Sequence, residues 1–464
     1  MKLRFTNRNK LSKILILLIL FLAAFLRFYK LPELMPFIGD QGWFYLSARD
    51  LIVGGNFPLV GITASYTWLH QGAFWTYMLA PTLWLFKFNP LAGGILSATI
   101  GVLSVYAAYF VAKELSNDKK TGIISAFIFA ASPIAIANSQ MPYHTSPVPF
   151  LLLIFIFSIY KYSKGKALFL PVSAFVLGLL YNFVLATMAL WILLPLVVYL
   201  TKKINPRLAV YSVISFLIPM IPMIAYDLGS EGKFYQLSAF IRIIKLSLFD
   251  HPSLVSKPVS SALRDLFIAN KDFVFIGSEL ISGLITLGAI VYILRLLYIN
   301  YKKKKINYSL IILFSSVFLP LVGILGTKTV SGAYLPMLFP GVILLIAYFL
   351  GDLIKRARDY KILIYSIVLF ICLGNIYLLL HSYSSNSQIT YPDELSISKK
   401  IVQKAKNRPY NLYISGKGSK YESYIMPYVY LTWWLGNGPA KSNEKLKFYI
   451  HQDPDKIDLK VNNL

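Results

Sequence analysis

The segment Phe37-Ile38-Gly39-Asp40-Gln41-Gly42-Trp43-Phe44-Tyr45, followed by Ala48-Arg49-Asp50-Leu51 and Gly54-Gly55, holds the residues best placed to do chemistry. A carboxylate held at a membrane surface can take a proton as a general base, and Asp40 is such a group. It also stands where a helix would begin, so it is equally a candidate N-cap, a role worth about 1 kcal/mol. Phe44, Ala48, Leu51 and Ile52 share one face at helical spacing, Gln41, Tyr45 and Arg49 another, and the glycines end the pattern. His70 and His144 can bind a polyhydroxylated ligand or hydrogen-bond locally. No phosphate-loop or dinucleotide glycine motif is present.

The elements that must position these residues belong to a membrane protein. Of 464 residues, 56% are hydrophobic and 14% charged, where soluble domains carry about 25% charged. A mean hydropathy of +0.60 excludes disorder, and the single cysteine excludes an intrachain disulfide framework. The net charge of +26 would suggest nucleic acid in a soluble protein, but the placement of the charges points to a bilayer and to no nucleic-acid partner. Eleven apolar runs are long enough to span, at 14–29, 91–112, 121–137, 147–160, 167–181, 183–200, 208–226, 279–298, 307–325, 334–350 and 362–381. Lysine and arginine cluster after every second run, around Lys119, Lys164, Lys203, Lys303 and Arg356, whereas the short loops between hold only Lys328. By the positive-inside rule the N-terminus is cytoplasmic and the C-terminus extracytoplasmic. The stretch 74–88 would break this alternation as a span and is laid in the outer interface. The first run lacks a small-x-small cleavage site and reads as an uncleaved anchor.

Domain organisation follows. Residues 1–381 form a transmembrane domain with external loops at 30–90 and 227–278, and 382–464 form a small extracytoplasmic α/β domain. In that domain Ser396 to Lys406 and Tyr421 to Leu435 read as helices, and Asn411 to Ser415 and Lys447 to His451 as strands. The fold class is an all-α polytopic membrane protein of about eleven transmembrane helices with this appended domain.

At the Gly39 to Tyr45 segment the chain resembles the C-superfamily of integral-membrane glycosyltransferases (GT-C), close to the dolichyl-phosphate-mannose protein mannosyltransferases of glycosyltransferase family 39. In that family a first span leads into an external loop opening with an acidic motif, usually Asp-Glu, followed by aromatics. Further landmarks are Gln71-Gly72-Ala73-Phe74-Trp75-Thr76-Tyr77, Ala131-Ser132-Pro133, and Tyr334-Leu335-Pro336 with Pro340, which resembles the family's Tyr-x-x-Pro segment. Two departures stand out. Gln41 replaces the usual glutamate, and the loop from Asn138 to Ser146 offers His144 where relatives often carry an acid. A two-carboxylate metal site is therefore not expected, and the expected cofactor is none.

The resemblance implies transfer of a hexosyl or pentosyl group from a polyprenyl-phosphate donor to an acceptor hydroxyl on the outer face of the membrane. The acceptor is a lipid, glycan or protein. An inverting mechanism would use Asp40 as general base, and cationic side chains would hold the developing phosphate charge. Lys328 is the first candidate for that role, with Arg27 and Arg49 behind it, and Gln41, Tyr334 and His144 complete the expected substrate contacts. Arg27 and Lys30 have a competing reading as snorkelling residues at the end of the first span. Trp43, Trp68, Trp75, Trp433 and Trp434 can stack on sugar or polyprenyl chain, or lie in an aromatic belt. The rival function is a transporter or a flippase for lipid-linked glycans, which would place ionisable or broken segments at mid-membrane.

Overall fold

The computed structural model describes residues 2–463 apart from 64–68, 230–237, 239–240, 242–258, 327–331, 383–388 and 420. Lys328, Trp68 and the middle of the loop expected at 227–278 lie outside the described residues. The helices in chain order are α1 Lys2–Phe28, α2 Leu31–Leu34, α3 Asp40–Gly54, α4 Phe74–Leu85, α5 Leu91–Ser116, α6 Lys119–Ala131, α7 Pro133–Gln140, α8 Val148–Ser163 and α9 Phe169–Phe183. A 3-10 stretch Leu185–Ile192 then runs into α10 Leu193–Thr201, and α11 Pro206–Leu217 continues through Ile218–Met220 into α12 Ile221–Gly229. They are followed by α13 Val259–Phe273, α14 Glu279–Lys302, α15 Tyr308–Gly326, the 3-10 turn Gly332–Met337, α16 Phe339–Arg356 and α17 Lys361–Ser382. The C-terminal part adds α18 Tyr391–Ala405, β1 Asn411–Ser415, α19 Met426–Trp434, β2 Leu446–Gln452 and β3 Ile457–Asn463.

Among the described residues six helices are long and apolar enough to cross a membrane, and the bent pair α6 and α7 makes a seventh. Three shorter apolar helices, Val148–Ser163, Phe169–Phe183 and Leu185–Thr201, fall on further expected runs. The twelve residues of α4 rise about 18 Å, too little to cross a hydrocarbon core of about 30 Å unaided.

The chain divides into two compact units. The first comprises Met1–Arg27, Thr99–Asn138 and Thr145–His381. Its helices start where the sequence supplies caps: Asp118 Oδ2 accepts from the Thr121 N–H at 3.1 Å ahead of α6, and Asn205 Oδ1 from the Leu208 N–H at 2.8 Å ahead of α11. Close approach uses glycine. A Cβ on Gly351 of α16 would lie 2.1 Å from Thr121 Oγ1 of α6. Leu17, Leu18 and Phe21 of α1 and Leu284, Leu287 and Val291 of α14 remain exposed, as lipid-facing positions must be.

The break between α6 and α7, bent by 59°, has an identifiable cause. Pro133 has no N–H, so the carbonyl of Phe129 loses its helical partner. The Arg27 guanidinium donates to Phe129 O and Ala130 O, both at 3.3 Å, and to Ala23 O at 3.2 Å. Arg27 is completely buried.

The second unit comprises Phe28–Ala98, Ser139–His144 and Ser382–Leu464, so the loop expected at 30–90 and the C-terminal segment fold together. Its sheet has the order β1-β2-β3, with β1 parallel to β2 and β2 antiparallel to β3. The parallel pair requires a crossover, supplied by the segment containing α19. Burial alternates along β2, with Leu446, Phe448, Ile450 and Gln452 inward, as a period of two demands. Ile397, Ile401 and Ala405 of α18 pack on this face with Tyr410 and Tyr428. The expected helix from Ser396 begins earlier, at Tyr391, because the Asp393 carboxylate accepts from the Thr390 N–H at 2.9 Å and caps it there. The expected helix from Tyr421 begins later as a continuous α-helix, at Met426, after the 3-10 turn Glu422–Ile425, and β3 was not foreseen.

Candidate active site

Asp40 is not an N-cap. The N-cap position belongs to Gly39, whose φ of 51° and ψ of −110° suit glycine, and no side-chain capping bond is made there. Asp40 is instead the first helical residue of α3, where the positive end of the helix dipole favours a carboxylate. The turn is closed from the other side: Gln41, almost fully buried, accepts from the Ile38 N–H through Oε1 at 2.8 Å. The Asp40 carboxylate accepts a hydrogen bond at Oδ2 from the Tyr143 hydroxyl, 2.9 Å away and 103 residues on.

Tyr143 belongs to a tight aromatic group. Its ring centroid lies 4.1 Å from that of His144, and Phe44 of α3 stands 5.8 Å from Tyr143 and 5.6 Å from His144. Burial pushes the His144 imidazole down to about 3, so the ring is neutral at ordinary pH and offers no charge to an anion. Its Nδ1 is buried without a hydrogen-bond partner among the described residues, as are Gln41 Nε2, Trp75 Nε1 and Thr76 Oγ1. Buried polar atoms of this kind are normally satisfied, so His144 Nδ1 and Gln41 Nε2 are places where water or a ligand hydroxyl would be held.

Packing fixes α3. A Cβ on Gly42 would lie 2.1 Å from Pro427 N, so α3 rests directly on the start of α19. The Tyr45 hydroxyl donates to Pro90 O at 2.6 Å and accepts from the Gly93 N–H at 3.0 Å. Complete burial raises the Tyr45 phenol well above its ordinary value, which leaves it a neutral structural group. Phe37 packs edge-on against Tyr45 and Tyr391, and the Tyr430 hydroxyl donates to Phe88 O at 2.7 Å.

The remaining sequence-derived candidates have separate placements. Arg49 lies on α3, two turns beyond Asp40, paired with Asp50 at 2.6 Å and stacked 5.0 Å from the Trp433 ring. Arg27 belongs to the first unit, spent on main-chain carbonyls. Tyr334 is half-buried in the 3-10 turn Gly332–Met337 of that unit. His70 Nδ1 lies 3.3 Å from Gly61 O in its own loop. The structure thus gathers Asp40, Gln41 and His144 around Tyr143. Sequence reading missed Tyr143, although its neighbour His144 had been singled out.

The amide of Gln41 is turned to Ile38, and among the described residues no three His, Cys, Asp or Glu side chains converge.

No family model matches the chain. A stretch of 154 residues is 24% identical to an uncharacterized protein of Aquifex aeolicus (strain VF5); it covers 33% of this chain and only 31% of that relative. Solved structures are more informative. ArnT from Cupriavidus metallidurans, bound to undecaprenyl phosphate, superposes with a TM-score of 0.61 over 99% of this chain and 98% of its own, at 9% identity. The archaeal oligosaccharyltransferase AglB from Archaeoglobus fulgidus, in complex with an inhibitory peptide and a dolichol-phosphate, gives 0.52 over 91% of this chain and 64% of its own, at 14% identity. The chain is a multi-pass membrane protein with the fold of these two.

Proposed function

We propose that the protein transfers a sugar from a polyprenyl-phosphate donor to an acceptor hydroxyl on the outer face of the membrane, with inversion at the anomeric carbon and Asp40 as general base. The observation that carries this reading is the Asp40 carboxylate at the first turn of α3, held by the Tyr143 hydroxyl and free of capping duty. The fold shared with a protein bound to undecaprenyl phosphate and with an oligosaccharyltransferase bound to dolichol-phosphate supports the donor class.

In the reaction the acceptor oxygen attacks the anomeric carbon and its proton passes to Asp40 Oδ1, the oxygen that Tyr143 does not occupy. The bond from the anomeric carbon to the phosphate oxygen breaks, and polyprenyl phosphate leaves. Tyr143 orients the carboxylate, and neutral His144 supplies hydrogen bonding to sugar rather than charge. The leaving phosphate is assigned to Lys328 and Tyr334. Arg27 is omitted because its guanidinium is engaged with three carbonyl oxygens. The reaction is expected to proceed in EDTA, and the N-terminus to be cytoplasmic and the C-terminus outside.

The test is Asp40→Asn in purified protein reconstituted with lipid. Loss of a general base costs about 10²-fold or more in rate. The fold should be intact, since no capping bond is lost. Near-normal transfer by this variant would remove Asp40 from the mechanism, and donor translocation without transfer by the wild type would favour the flippase reading.

A further inference from the structure

Asp40, Trp43, Ser47 and Asp50 recur at intervals of three and four along α3, so they lie along one stripe of the helix. Beyond Asp40 this stripe runs into an open groove of about 410 Å³, lined by Trp43, Ser47, Arg49, Asp50, Asn56 and Phe57 and closed on one side by α19. That volume lies in the range of small-molecule sites. At 1.5 Å per residue the groove begins about 5 Å past Asp40 and ends about 15 Å past it, a run of about 10 Å that suits a few sugar units. The far wall is pinned. The Asn56 N–H donates to Asp50 O at 3.3 Å, and the Tyr77 hydroxyl to Pro58 O at 2.5 Å.

Charge decides what the groove accepts. Arg49 donates through Nε at 2.7 Å to Asp50 Oδ1, and its terminal nitrogen lies 2.6 Å from the same oxygen. The guanidinium is thus neutralised before a ligand arrives, and the carboxylate beside it opposes a phosphate. The second Asp50 oxygen, the Ser47 hydroxyl and the Asn56 amide present donors and acceptors suited to hydroxyl groups. The Trp43 indole and the Phe57 ring, 70% exposed, add the flat apolar faces on which a sugar ring stacks.

We propose that this groove is the acceptor subsite and that the acceptor is a neutral glycan. The assignment to the acceptor rests on the transfer reaction proposed above; the ligand class rests on the groove alone. Full-length protein in detergent is applied to an array of neutral oligosaccharides, acidic oligosaccharides and peptides, and in parallel titrated with undecaprenyl phosphate in micelles. The wild type should retain at least one neutral glycan. Trp43→Ala should weaken that binding about tenfold or more, whereas Trp43→Phe, which keeps an aromatic face, should stay within about threefold. Asp50→Asn should shift preference toward acidic glycans, because it leaves Arg49 unpaired. Absence of neutral-glycan binding by the wild type, unchanged binding by Trp43→Ala, or preferential capture of a peptide or of undecaprenyl phosphate in a Trp43-dependent way would overturn the proposal. Normal transfer by Asp40→Asn together with Trp43-dependent glycan binding would sink the catalytic reading and leave the groove standing.

Discussion

The unit of spans and the unit of loops use the same guanidinium in different ways. In the first, Arg27 is fully buried and turned onto the carbonyls of Phe129 and Ala130, which the proline at 133 and the helix end leave open. In the second, Arg49 keeps access to a groove, paired with Asp50 and stacked on Trp433. Lipid cannot hydrogen-bond a main-chain carbonyl, so a charge near a broken span is recruited to close the backbone. Beside an open groove there is no such demand, and Arg49 is held by a carboxylate and an aromatic ring instead. The two arginines therefore carry different information: Arg27 reports on backbone repair, and Arg49 on how a side chain beside an open groove is held.

The largest effect should come from breaking the loop unit itself. Gly42→Ala drives a Cβ into the backbone of Met426 and Pro427, so α3 must leave α19, at a cost above about 3 kcal/mol. The expected outcome is loss of folded protein, read as protease sensitivity in membranes. Gly288→Ala, where an added Cβ meets nothing within 4 Å, should be silent or slightly stabilising.

Arg27→Met sharpens the contrast between the arginines. It leaves two carbonyl oxygens unpaired in a buried setting and should destabilise the protein by about 2 kcal/mol or more, measured as a lowered unfolding temperature. In the proposed transfer, folded protein carrying it should keep its donor KM. A donor KM raised without a change in stability would instead return Arg27 to the phosphate site.

The smallest effect concerns a buried carboxyl in the C-terminal part. Glu394 is fully buried, accepts from Gln452 Nε2 at 3.3 Å through Oε1, and has no partner at Oε2 among the described residues; Gln452 in turn accepts from the Tyr428 hydroxyl at 3.0 Å. Burial raises the carboxyl well above its ordinary value. The folded state then holds a proton that the unfolded chain has already lost, so this group's contribution to stability falls as pH rises above the ordinary glutamate range and on through the raised value. Glu394→Gln should flatten that slope. At pH 8 it should melt higher than the wild type by a few degrees, about 2–4 °C per kcal/mol, and the gap should close near pH 5. An unchanged pH profile would mean that water reaches Glu394.

Much of this was legible locally. Runs of apolar residues mark the spans because the bilayer requires them over some twenty consecutive positions, and Asn205-Pro206 or Ser278-Glu279 announce helix starts through bonds that close within three residues. The acidic loop was visible for the same reason, since its amphipathic spacing and terminal glycines are confined to α3. The cap reading of Asp40 failed because the same local pattern permits a different closure: Gln41 reaches back to Ile38 while Gly39 takes the turn, and the aspartate is left over.

By itself the sequence determined that this is a polytopic membrane protein, where most of its apolar helices lie, and that an aspartate stands at the start of the helix after the first long loop begins, because hydropathy and period act between near neighbours. Only the tertiary structure decided that Tyr143 would hold that aspartate, that Arg27 would mend a broken helix a hundred residues away, and that the C-terminal helix α19 would wall the groove beside Trp43. Each of those depends on the return of distant chain to one place. The side chains concerned carry several possible partners in the sequence, and packing selects one.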